Sequence, residues 1–130
     1  MELMDDVWKE YLGTLNTELY TYFGGLHRRF RTGILSNSFV GAREREQQAY
    51  NFESICDDIV YSHEVGIRKP DPRIYRLTCD RLAVRPEEAI FLDDVDENIA
   101  AACVEGLHGI VFRDNAQAIS DIEAAILRQT

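Results

Sequence analysis

Residues 87–112 read EEAIFLDDVDENIAAACVEGLHGIVF, and their order decides the fold. EEAIFLDD is a short apolar run that stops at two aspartates, which suits a buried strand. ENIAAACVEG is helix-prone and closes on Gly106, a residue that terminates helices in the left-handed conformation. HGIVF is a second apolar run. Strand, helix and strand in so short a span describe a parallel pair with a crossover helix.

The pattern extends on both sides. TGILSNS (32–38) predicts a buried strand opening into a polar loop, and AREREQQAYNF (42–52) predicts a charged helix. DIVYSHEVG (58–66) carries β-branched and aromatic residues and predicts another strand ending at Gly66. In KPDPRIYRLTCDRLAV (69–84), Asp71 is placed to cap a helix and Pro72 to occupy its first turn, with Ile74, Leu77 and Ala83 on one face. AQAISDIEAAILRQ (116–129) puts Ile119, Ile122 and Ile126 on one helical stripe. Before Thr32 the chain reads as helical. Leu15, Leu19, Tyr22, Phe23, Leu26 and Phe30 recur at helical spacing, capped by Thr14 or Asn16, after a shorter helix over Asp5–Tyr11 that breaks at Gly13. The expectation is one domain, residues 1–130, of the doubly wound parallel α/β class: a helical part over 1–31 and an α/β core over 32–130.

Charge and composition exclude several functions. The 130 residues carry a formal net charge of -9, which argues against nucleic acid and against anionic membranes as partners. No apolar run approaches a membrane span, and MELMDDVWKEY lacks the basic start and apolar stretch of a secretory signal. Cys56, Cys79 and Cys103 are odd in number and widely spaced, with no C-x-x-C, and read as buried free thiols. A cytoplasmic location is expected.

Open parallel sheets bind ligands beyond the carboxyl ends of their strands. The polar residues placed there are Ser36, Asn37 and Ser38 after one strand, His63 and Glu64 after the next, then Lys69, and finally Asp93 and Asp94. A hydroxyl and nearby N–H groups can donate to phosphoryl oxygens, and a lysine can neutralise their charge. Two carboxylates suit Mg²⁺, which would also relieve their mutual repulsion. Each piece has a plainer reading: Ser36 and Asn37 as a turn, Lys69 as a solvated lysine, Asp93-Asp94 as a helix cap. His27, His63 and His108 show no metal-ligand spacing.

Taken in order, these pieces resemble the haloacid dehalogenase-like (HAD) hydrolase superfamily. GILSNS resembles its second motif, GIRKPDPRIY its third and IFLDDVDENIAAA its fourth; the resemblance runs from about Phe30 to the end of the chain. It implies Ser36 and Asn37 as phosphate-binding residues, Lys69 as the charge-stabilising catalytic lysine, Asp93 and Asp94 on the Mg²⁺ side, and a small phosphorylated molecule as substrate. The Asp93-Asp94 pair favours phosphatase over dehalogenase chemistry, because the family's dehalogenases work without Mg²⁺. Residues 1–31 resemble the end of a helical cap.

The family's first motif, a strand ending in D-x-D, is not found before Ser36; the only D-x-D is Asp94-Val95-Asp96. The resemblance therefore implies a sheet lacking its central first strand and a truncated chain without its nucleophilic aspartate, inactive alone. The alternative is a non-catalytic binding or assembly protein, a pseudoenzyme. The gap would have to close directly or be filled by another chain, which predicts a homodimer through exposed sheet edges. A phosphoacceptor receiver domain fits less well: there the acidic pair comes early and the lysine late.

Overall fold

The computed structural model describes residues 2–4 and 16–129, with the elements β1 (Glu2–Met4), α1 (Thr17–His27), β2 (Thr32–Ser36), α2 (Ala42–Tyr50), β3 (Asp58–Tyr61), α3 (Ser62–Val65), α4 (Pro72–Arg81), β4 (Ile90–Asp93), α5 (Asp96–Val104), β5 (His108–Val111) and α6 (Asn115–Gln129). The strands form one parallel sheet in the order β3-β2-β1-β4-β5. The short helix expected over Asp5–Tyr11, its break at Gly13, the cap at Thr14 and the apolar Leu15 lie outside the described residues.

The sheet is doubly wound, as the alternation of elements requires, but its centre is not vacant. Glu2–Met4 lies between β2 and β4, with Met4 in register with Ile34 on one side and Leu92 on the other. This corrects the expectation that the central strand is lacking. The physical reason is the demand for partners along the facing edges of β2 and β4: three residues of this same chain supply them. Neither direct closure nor a second chain is needed there, and the open edges are those of β3 and β5.

Strand residues alternate between two apolar layers, as a sheet covered on both faces demands. Ile34, Ile59, Ile90, Leu92 and Ile110 pack with Leu19, Phe23 and Leu26 of α1 and Ala118, Ile122 and Ile126 of α6. Leu35, Val60 and Phe91 pack on the opposite face with Ile74, Tyr75 and Cys79 of α4 and Ile99 and Ala102 of α5. The apolar face of α1 is thus part of the sheet's own core. Asn16 caps this helix by accepting the Leu19 N–H at 3.2 Å. Its amide also exchanges two hydrogen bonds with Asn115 at the start of α6, at 2.7 and 3.0 Å, tying the two helices together.

Three local expectations shift. The strand predicted over 58–66 ends at Tyr61, and Ser62–Val65 make one helical turn that stops at Gly66, φ +74°. On α4 the buried face is Ile74, Tyr75, Thr78 and Cys79; Leu77 is half-buried, and Ala83 lies beyond the helix at φ +57°. Cys56 and Cys79 are buried, and burial pushes their thiols up to about 12 and about 11, but Cys103 is exposed.

The crossover from β4 to β5 is tightly packed. A Cβ built on Gly109 would lie 2.7 Å from Ile99 Cγ2 and 2.8 Å from Cys103 Sγ, so α5 rests on the bare glycine. Gly109→Ala is expected to destabilise the fold by about 1–3 kcal/mol through overpacking. Urea unfolding followed by circular dichroism checks this; an unchanged midpoint would show that α5 does not press on β5.

Candidate functional site

The chain steps from β1 to β2 and β3 on one side, then crosses to β4 and β5 on the other. That reversal places the crevice of the sheet beyond the carboxyl ends of β1, β2 and β4. Ser36 is the last residue of β2, Asp93 is the last of β4, and Lys69 sits in the loop before α4.

Lys69 and Asp93 meet there. The Lys69 Nζ donates to Asp93 Oδ2 at 2.8 Å, and each side chain is only 1% exposed. Burial is the largest influence on the ammonium and pulls its pKa below the ordinary lysine value; the charge and hydrogen bond of Asp93 pull the other way. The Lys69 ammonium also lies 5.7 Å from the centroid of the Phe91 ring. Asp93 is held further: Oδ2 accepts the Asn98 amide at 3.2 Å and Oδ1 accepts the Val95 N–H at 2.9 Å. Asn98 is in turn fixed through its carbonyl, which accepts the buried Tyr75 hydroxyl at 2.9 Å.

Asn37 clamps the lysine from the other side of the crevice. Its Oδ1 accepts the Lys69 N–H at 2.8 Å, and its Nδ2 donates to the Lys69 carbonyl at 3.2 Å. Both ends of the amide are therefore used on the backbone of Lys69, whose bond to Pro70 is cis. The sequence assigns Asn37 to phosphate; the structure shows its amide on the Lys69 backbone, beside Ser36. The positioning role of Asn98 was not singled out from the sequence as a site. Its signal was the spacing: five residues after Asp93, it sits one turn into α5, over the strand end.

The structure thus brings Ser36, Asn37, Lys69 and Asp93 to one end of the sheet, Ser36 being buried and Asp94 exposed on the connection to α5. Among the described residues no group of three or more His, Cys, Asp or Glu side chains converges to hold a metal. A two-carboxylate Mg²⁺ site is a smaller demand, since that ion keeps several waters. Among the described residues Asp93 Oδ1 accepts one hydrogen bond, from the Val95 N–H, and Asp94 adjoins it in the chain, so two carboxylates of a donor set that fits such an ion lie together.

Comparison with known proteins agrees with this geometry. The family model "haloacid dehalogenase-like hydrolase" matches residues 5–103. Bifunctional epoxide hydrolase 2 of Rattus norvegicus is 32% identical over 98 residues, covering 72% of this chain but 18% of its own length. Glyceraldehyde 3-phosphate phosphatase of Methanopyrus kandleri is 39% identical over 85 residues, 65% of this chain and 36% of its own. A HAD family enzyme from Bacteroides thetaiotaomicron, solved with magnesium and inorganic phosphate, superposes with a TM-score of 0.73 over 81% of this chain and 57% of its own, at 18% identity. The chain spans well under half the length of these two curated relatives.

Removing one member of the buried pair strands the other. Asp93→Asn is expected to cost about 3–5 kcal/mol because the buried ammonium loses the carboxylate charge 2.8 Å from it. Adding Lys69→Met should recover much of that loss. Urea midpoints of the single and double variants check this; equal losses in both would mean that the pair is not the source of the penalty.

Proposed function

The chain belongs to the haloacid dehalogenase-like hydrolase family, and from that premise we propose that its site binds the phosphoryl group of a small phosphate ester together with Mg²⁺. The observation that carries this reading is the Lys69–Asp93 pair, dry and 2.8 Å long, at the carboxyl end of the sheet beside Ser36. Ser36 donates its hydroxyl to a phosphoryl oxygen. Lys69, kept above the crevice by Asn37, offers its ammonium to the same negative charge. Asp93 and Asp94 would hold the metal, which would offset phosphoryl charge when bound. The phosphatase among the relatives and the phosphate and magnesium in the Bacteroides structure support a phosphoester over other hydrolase substrates.

By the family's mechanism, turnover needs a carboxylate nucleophile and a second carboxylate as its acid/base. The family's D-x-D puts two carboxylates two residues apart, on one side of an extended segment. After Met4 the sequence reads Asp5-Asp6-Val7, adjacent aspartates without that spacing. The proposal is therefore that these 130 residues bind phosphate and Mg²⁺ but do not by themselves hydrolyse phosphate esters.

Titration with inorganic phosphate and Mg²⁺, followed by calorimetry or ³¹P NMR, should show Mg²⁺-dependent binding. Ser36→Ala should weaken it by about 1.5–3 kcal/mol, the worth of a hydrogen bond to a charged group. Hydrolysis of p-nitrophenyl phosphate should stay at background. Mg²⁺-dependent hydrolysis that is lost in Asp5→Asn would overturn the inactivity, and absence of phosphate binding would overturn the site.

A further inference from the structure

Two residues beyond Ser36, the Ser38 hydroxyl lies 2.8 Å from His63 Nδ1. The phosphate site uses neither group. His63 stands on α3, the single turn that interrupts what the sequence reads as strand, and its side chain is 15% exposed. Its ring faces Tyr61, centroid to centroid at 5.7 Å. On the far side of the imidazole, Nε2 is 3.8 Å from Glu64 Oε2. Arg43 grips that carboxylate with two hydrogen bonds, at 2.9 and 2.8 Å, and keeps its pKa below the usual glutamate value. Arg43 is itself anchored on the Ile59 carbonyl at 3.2 Å and over the Tyr61 ring at 4.9 Å. A fixed negative charge beside Nε2 favours the tautomer that carries its proton there, which leaves Nδ1 bare towards Ser38.

The serine is fixed as well. Its backbone N–H donates to Ser62 Oγ at 2.7 Å. Ser38 lines a cavity of about 360 Å³, a size suited to a small ligand. Ala42, Ala49 and Tyr50 line it with the exposed Phe39 and Val40, Arg45 and Glu46 bring one charge of each sign, and Ser36 and Asn37 of the phosphate site line it too.

We propose that Ser38 and His63 are a nucleophile and general base that cleave small carboxylic esters in this cavity, with Glu64 and Arg43 as positioning residues. Ser38 Oγ forms a bond to the ester carbonyl carbon while its proton passes to His63 Nδ1. The bond from that carbon to the alcohol oxygen then breaks, and the alcohol leaves with the proton from His63. Water, deprotonated by the same nitrogen, attacks the acyl-serine and releases the carboxylic acid and free Ser38. The acyl body rests against Ala42, Ala49 and Tyr50.

The test uses the 130-residue chain with p-nitrophenyl butyrate and, separately, a fluorophosphonate that labels activated serines. The expected results are ester hydrolysis above the buffer blank and a label located by mass spectrometry on Ser38. Ser38→Ala and His63→Gln should each lose about 100-fold or more of the rate. Glu64→Gln should lower kcat with little change in KM, which loss of packing alone would not do. Thermal melts confirm that the variants fold; should either fail, the labelled position in the unaltered chain decides. Absence of ester turnover, a label on a different serine, or turnover that survives Ser38→Ala would overturn the proposal. Ser36 lines the same cavity, but phosphate binding is read separately, by its loss in Ser36→Ala and not in Ser38→Ala, so either activity can fail while the other stands.

Discussion

The Lys69–Asp93 pair is the interaction on which the rest of the site depends. Both side chains are almost wholly removed from water, so removing either charge leaves the other buried at a cost. The geometry follows from that constraint. Asn37 spends both ends of its amide on the backbone of Lys69, and Asn98 and Val95 spend theirs on the carboxylate of Asp93. Tyr75 then fixes Asn98, and Phe91 lies beneath the ammonium. Elements that are distant in sequence, β2, the lysine loop, α4, β4 and α5, are thereby locked to one point at the end of the sheet.

This changes how the adjacent aspartates should be understood. Two carboxylates at a strand end repel, and a bound metal is one way to relieve them. Here the first relief comes from within the chain, because the lysine ammonium neutralises Asp93 directly. Asp94 is exposed on the connection to α5. The two residues are alike in sequence and differ in burial. Because burial already pulls the lysine towards its neutral form, an approaching phosphoryl group would favour its charged form.

Much of this was legible in the sequence. The βαβ order was plain because strands buried on both faces are unbroken apolar runs, and the caps at Asp71 and Pro72 fell where expected. Ser36, Lys69 and Asp93 were legible because a parallel sheet presents its strand ends on one side. What was not legible depends on geometry that spacing does not encode. Spacing alone favours a turn for Asn37 and the resemblance assigns it to phosphate; neither encodes its two hydrogen bonds to the Lys69 backbone. The turn at Ser62–Val65 was hidden because SHEV follows a β-branched run without a break, yet that turn is what swings His63 against Ser38. The paired face of α4 differs from the expected one because Ala83 leaves the helix through a left-handed residue.

The central strand was missed for a different reason. Three residues, ELM, hold no β-branched or aromatic side chain and carry no period of their own. Their placement is a demand of their neighbours and not a preference of their own. β2 and β4 each present an edge whose N–H and C=O groups need partners, and a parallel segment of this chain in register with Thr32–Ile34 and Ile90–Leu92 provides them. The ends of β2 and β4 are therefore held one strand apart, and Ser36 and Asp93 lie on either side of the crevice without touching. Lys69 spans that crevice, fixed to β2 through Asn37 and to β4 through Asp93. The spacing that a three-residue strand imposes is thus the spacing across which a phosphoryl group would have to fit.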